Sequence, residues 1–168
     1  MSVRDPIAET VYPSIAALPP GRWCGMLLNL LPLTIGRVRL THLLFGPLLA
    51  PVAPLLYFAI KIVGRCYPLS ASAVEAWPML SRHRLGRVEL ARIGAIETRV
   101  RRGQAFYRAG DVLLLGEGGQ TLMVLEGVPQ PKRVAAVIEN LRLAASQRTQ
   151  ALDTIAARKP PTAEPAKA

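Results

Sequence analysis

Residues 40 to 63, LTHLLFGPLLAPVAPLLYFAIKIV, constrain this chain more than any other stretch. Leu43 to Ile60 contains no charged side chain, and cations flank the stretch on both sides: Arg37 and Arg39 before it, Lys61 and Arg65 after. A run of about 18 apolar residues is long enough, as a helix, for the roughly 30 Å hydrocarbon core of a bilayer. The sequence therefore predicts a transmembrane helix over 40–63 and the keywords that go with it, a membrane protein of the bacterial inner membrane. Pro47, Pro51 and Pro54 each remove a backbone donor, so a kink is expected. A re-entrant segment turning near Ala50 and Pro51 stays open.

The stretch before it, residues 21–36, carries about 13 apolar residues interrupted by Asn29 and Pro32, roughly 20 Å of helix and too short to cross. Arg22 and Trp23 at its start suit a headgroup layer. It reads either as an interfacial helix or as the first leg of a hairpin turning at residues 36–39. Arg22, Trp23, Arg37, Arg39, Lys61 and Arg65 are the expected membrane-interface anchors. Residues 1–20 have neither the basic start nor the cleavage site of a signal peptide and are expected to form a short, partly irregular arm.

After Gly64 the pattern changes to short alternating runs between turn signals. Cys66–Ser70 and Ala73–Leu80 predict two strands, with Pro68 and Pro78 at edges or bulges. Gly86–Ile93 and Ala95–Arg102 alternate, the second with Ile96, Thr98 and Val100 inward and Glu97, Arg99 and Arg101 outward. Phe106–Arg108 predicts a further short strand. Val112–Leu115 and Thr121–Glu126 flank Gly116-Glu117-Gly118-Gly119-Gln120, a hairpin signal. Pro131 then opens a helix with Val134, Val137, Ile138 and Leu141 on one stripe. It is expected to run on toward Arg158, with residues 162–168 a disordered tail.

Four of these runs carry a resemblance. Tyr67-Pro68-Leu69-Ser70 resembles the Tyr-x-Leu-Thr opening strand of bacterial pleckstrin-homology-like domains. Val88-Glu89-Leu90-Ala91-Arg92-Ile93-Gly94-Ala95-Ile96-Glu97 is similar to their V-x-L-x-x-I-x-x-I-E strand pair. Gly110-Asp111-Val112-Leu113-Leu114 resembles the G-D-V-L-L strand, and Leu125-Glu126-Gly127-Val128-Pro129 the lead into the last helix. The resemblance covers about residues 65–145. It implies a binding and assembly module without catalytic residues. The expected fold is thus a membrane-anchored α+β chain: an arm (1–20), a membrane region (21–64), a small antiparallel sheet or barrel of pleckstrin-homology-like form capped by a C-terminal amphipathic helix (65–146), and a helix extension with tail (147–168).

Chemical motifs narrow the function by elimination. The sequence has no phosphate-binding loop with a following Lys-Ser/Thr, no G-x-S-x-G and no H-E-x-x-H. Cys24 and Cys66 have no ligand-like spacing. No enzyme activity, metal or cofactor is expected. Net charge is +10, from 21 Lys and Arg against 11 Asp and Glu. Such an excess suits acidic partners or anionic lipid. The candidate contacts are two clusters, Arg82, Arg84 and Arg87 around His83, and Arg99, Arg101 and Arg102, because guanidinium forks pair with phosphate and carboxylate. Nucleic acid is not expected, since interleaved aromatic residues are missing. The expected role is a non-enzymatic accessory or scaffold subunit. It would dock on an integral membrane protein complex, photosynthetic or respiratory, with its C-terminal domain on the cytoplasmic side. The alternative is a module that senses anionic lipid headgroups.

Overall fold

A computed structural model describes residues 6–30, 34–35, 38–81 and 83–158. Seven strands in two antiparallel sheets and one long helix account for most of the buried apolar surface. The first sheet has strand order β1-β4-β5-β6, from Ile7–Val11, Arg65–Ser70, Ala73–Pro78 and Gly86–Glu89. The second has order β7-β8-β9, from Ala95–Arg99, Ala109–Leu115 and Thr121–Pro129. Between β1 and β4 lie helix α1 (Pro19–Leu28), a two-stranded ribbon of β2 (Thr34–Ile35) with β3 (Val38–Arg39), and helices α2 (Leu40–Leu49) and α3 (Val52–Val63). Helix α4 (Pro131–Arg158) closes the fold.

The β-strands form where the sequence alternates, and burial follows their places in the sheets. Tyr67, Leu69 and Val74 point into one core with Val112, Leu114, Leu125, Val128 and, from α4, Val134 and Ile138. The α4 stripe expected from its 3.6-residue period meets the second sheet, where Val137 and Leu141 also pack. Arg142 fastens this helix by donating from Nη1 to the carbonyls of Ile93 (2.8 Å) and Gly94 (2.9 Å). Strand β8 is central in its sheet, which explains its nearly continuous burial. Strand β7 is an edge strand. There the expected inward alternation fails beyond Ile96: Thr98 and Val100 are exposed, because no layer covers that end of the strand.

Within the partly irregular arm expected over 1–20, Ile7–Val11 is a strand that pairs antiparallel with β4 in the register Ile7↔Ser70, Val11↔Tyr67. Two local expectations are corrected. Gly86–Ile93 is a strand only to Glu89 and continues as a 3-10 turn at Leu90–Arg92. Phe106–Arg108 is not a strand: Ala105–Tyr107 is a 3-10 turn ended by Arg108 in the left-handed region (φ 50°). The expected tail at 162–168 and the turn residues Gly36 and Arg37 lie outside the described residues.

The largest correction concerns the transmembrane helix over 40–63. The stretch is two helices of 10 and 12 residues, about 15 and 18 Å long, and no helix among the described residues is long and apolar enough to cross a membrane. The membrane-spanning part of the expected fold, and the keywords that follow from it, are overturned by this break. Its cause is proline chemistry. The Ala50 N–H still reaches the Gly46 carbonyl at 2.8 Å, but Pro51 has no N–H to extend the ladder and becomes the residue that caps α3. Pro54 falls at the third position of α3, where a helix has no internal partner for an N–H in any case. One uninterrupted apolar run is thereby cut into two short helices.

Candidate docking surface

Helices α2 and α3 leave most of their large apolar side chains uncovered. Leu44 and Leu48 of α2 and Leu55, Tyr57, Phe58, Ile62 and Val63 of α3 are all more than half exposed. Only Leu56 and Ile60 of α3 are buried, against the chain's own N-terminal segment. At this root a shallow cavity of about 230 Å³ is lined by Tyr12, Ile15, Tyr57, Ile60, Lys61 and Met79. Lys61 Nζ lies 6.0 Å from the Tyr12 ring centre and 5.7 Å from that of Tyr57, a cation–π arrangement that positions the ammonium.

The β5–β6 hairpin stands beside that root. Arg65 opens β4 opposite Pro78, and the Met79 N–H donates to the Gly64 carbonyl at 2.9 Å, so the end of α3 and the hairpin tip are tied together. Glu75 organises the hairpin's cations. Its Oε1 lies 3.1 Å from Arg84 Nη1 and 3.5 Å from Arg87 Nη1, while Oε2 accepts from Trp77 Nε1 at 2.8 Å. Arg87 also donates to Ser72 Oγ at 3.4 Å. His83 is exposed, and its backbone N–H donates to Ser81 Oγ. Of the first expected cluster, Arg84 and Arg87 thus share one carboxylate of their own chain, and Arg82 lies outside the described residues.

The second expected cluster is divided by the fold. Arg99 and Arg102 are exposed, whereas Arg101 turns back to the buried Asp111, Nε to Oδ2 at 2.7 Å. That contact is an ion pair without hydrogen-bond alignment, and among the described residues Oδ2 has no hydrogen-bond donor. The other oxygen, Oδ1, accepts from Gln104 Nε2 at 2.7 Å and from the Gly127 N–H at 2.8 Å. Gln104 Oε1 in turn accepts the Arg101 N–H at 2.7 Å. These bonds clip the loop after β7 onto β8 and β9, so Arg101 serves the loop and leaves Arg99 and Arg102 as the outward cations.

The same loop meets α1. Gly103 (φ +84°) and Gly25 allow the two backbones to touch: a Cβ on Gly103 would strike the Arg22 carbonyl, and one on Gly25 would strike the Gly103 carbonyl. Arg22, expected as a membrane-interface anchor, is thus a half-buried residue whose backbone is packed against Gly103. Trp23 on the same helix is 66% exposed. Arg37 lies outside the described residues, Arg39 belongs to β3, and Lys61 and Arg65 are exposed at the root of α3.

Sequence reasoning missed Gln104 and Asp111, the two fully buried polar residues among those described. The signal available was Asp111 itself, a carboxylate within the otherwise apolar strand β8. Among the described residues no group of three or more His, Cys, Asp or Glu side chains is placed to hold a metal ion. Burial pushes the Tyr67 phenol up, against the opposing effect of the Glu126 N–H that it accepts at 3.2 Å. Burial likewise raises the Cys66 thiol, which makes it a poorer nucleophile. The described geometry thus offers apolar contact and anion pairing. Neither a protein-family model nor a curated protein matches this chain.

Proposed function

We propose that the chain is a non-enzymatic accessory or scaffold protein that docks on a larger protein complex of the bacterial inner membrane, with the arm formed by α2 and α3 as its contact and the two-sheet domain on the cytoplasmic side. The observation that carries this reading is the arm's burial pattern. A dozen residues of α3 bury only Leu56 and Ile60 on their own domain and leave Leu55, Phe58, Ile62 and Val63 uncovered. An apolar surface of this kind calls for another apolar surface to cover it.

Proline gives the arm a second requirement. Pro47 inside α2 and Pro51 just after it offer no N–H to the carbonyls of residues 43 and 47. Away from water such carbonyls need donors from elsewhere, which neighbouring helices of a complex supply and lipid tails do not. The four-plus-three arrangement of antiparallel strands followed by one helix supports the pleckstrin-homology-like reading of the domain, and with it an assembly role.

Purification in a gentle detergent tests the proposal. The chain is expected to co-migrate with a larger assembly, and a Leu55→Asp/Phe58→Asp variant is expected to migrate alone with an unchanged melting temperature, because both side chains are exposed. A parent chain that runs as a lone monomer under the same conditions overturns the reading.

A further inference from the structure

Strand β7 is an edge of the second sheet, and it lacks the devices that usually close one. It holds no proline, and its register with β8 runs without a bulge from Ala95↔Leu115 to Arg99↔Asp111. The first sheet's edge strand β1, by contrast, is bulged between Ile7 and Glu9, and β9, at the far side of the second sheet, shifts register against β8. Apart from half-buried Ile96, every residue from Ala95 to Arg102 is exposed. In an antiparallel ladder alternate residues turn their N–H and C=O groups to the neighbouring strand, and the others turn away. The Arg99 carbonyl faces β8, since a Cβ on Gly110 would lie 2.9 Å from it. The backbone groups of Ile96 and Thr98 therefore point out from the sheet as an open ladder.

Side chains decide what can fill that ladder. Glu97 and Arg99 are two residues apart on a strand, so they project from one face. Neither takes part in an ion pair among the described residues. A second copy of β7, laid antiparallel, can match the open groups in three neighbouring registers. Centred on Glu97, the pairing sets Glu97 against Glu97; centred on Arg99, it sets Arg99 against Arg99. Centred on Thr98, it sets Glu97 of each copy opposite Arg99 of the other, and Ile96 opposite Val100. Opposite charges in directly facing positions stabilise a strand pair and like charges destabilise it. Of the three, the register centred on Thr98 is self-complementary.

We infer that β7 is a homodimerisation edge. Two copies pair antiparallel about a twofold axis at Thr98, joining their three-stranded sheets into one of six strands. Val100, 55% exposed in a single chain, then meets Ile96 of the second copy. This contact is independent of docking by the arm, which uses other elements of the chain.

Sedimentation of the full chain in a gentle detergent tests the inference, with Leu55→Asp/Phe58→Asp present throughout so that the arm does not contribute to association. That background chain is expected to be a dimer whose fraction rises with concentration. Glu97→Arg and Arg99→Glu each turn both attractive pairs into repulsive ones, and each is expected to raise the dissociation constant on the order of tenfold or more. Melting temperatures should stay level, because both side chains are exposed. Mixed one to one, the two single variants are expected to associate with each other as tightly as the background chain does with itself, since opposite charges then face at both positions. Glu97→Arg/Arg99→Glu in one chain is expected to regain the dimer for the same reason. A background chain that stays monomeric, a dimer that persists undiminished in both single variants, or a mixture that stays monomeric overturns the inference. Any of these leaves the docking reading standing. A chain that pairs through β7 yet co-migrates with no assembly overturns the docking reading alone.

Discussion

Two regions of this molecule use the same kinds of side chain to opposite ends. The two-sheet domain places Leu69, Val74, Leu114 and Leu125 out of contact with solvent, and the arm places Leu48, Leu55 and Phe58 mostly in it. Composition does not separate them, since both are rich in Leu and Val. Layering does. A strand in a sheet has one face that α4 or the other sheet can cover, whereas α3 buries only Leu56 and Ile60 and leaves the rest of its apolar stripe open. The arm's hydrophobicity is unspent within this chain, and that makes it a surface rather than a core.

The largest effect that sharpens the contrast is expected from a pair of identical substitutions. Leu125→Ala should cost about 3 kcal/mol by emptying a filled core position, and Leu55→Ala under about 0.5 kcal/mol, both read from denaturant melts of the purified chain. Equal losses at the two sites would mean that the arm is packed within this chain and would break the comparison. Next in size is the polar clip. Asp111→Ala removes the acceptor for Gln104 and Gly127 and the partner of Arg101, and should cost about 2–3 kcal/mol. Its expected signature is faster amide exchange in the loop 100–108, without a matching change in the arm.

The smallest expected effect is at Tyr67. Tyr67→Phe leaves the Glu126 N–H without its acceptor and should cost about 1 kcal/mol near neutral pH. The pH dependence has a definite sign. Burial holds the proton on the folded phenol above its ordinary value, while the unfolded phenol ionises near pH 10. The stabilisation is therefore complete below that range and is lost as pH rises through it. Denaturation midpoints between about pH 8 and 11 should fall more steeply for the parent than for the phenylalanine variant. Parallel curves would assign the alkaline loss to other groups.

What could be read from residue order alone follows the range of the forces involved. The α4 stripe, the strand pair around Gly116–Gln120 and the break at Pro51 all depend on neighbours within a few positions, and periodicity or proline placement marks them. The apolar run at 40–63 was misleading because length and hydropathy describe a helix only if its hydrogen-bond ladder is continuous. Strand β1 pairs with β4 across nearly sixty residues, and no local pattern in Ile7–Val11 announces that partner. The arginines show the limit most clearly. Arg99, Arg101 and Arg102 are alike in sequence, yet among the described residues it is Arg101 that forms the ion pair with Asp111, because Gln104 and Gly127 bring the loop back over β8. The two arginine clusters were legible as cations; which of them face outward was not.

The pairing of β1 with β4 has a consequence for how the protein is made. Val11 and Tyr67 are register partners, so everything between them is an excursion from one sheet, with both feet side by side. A ribosome releases β1 first, then the arm, and only afterwards the strand that closes the footing. At about 5–20 residues per second that interval is on the order of several seconds. During it the arm's leucines are outside the tunnel while the domain that roots them does not yet exist. Under the proposed docking, the arm is therefore exposed to its partner during translation, before the domain that roots it is closed.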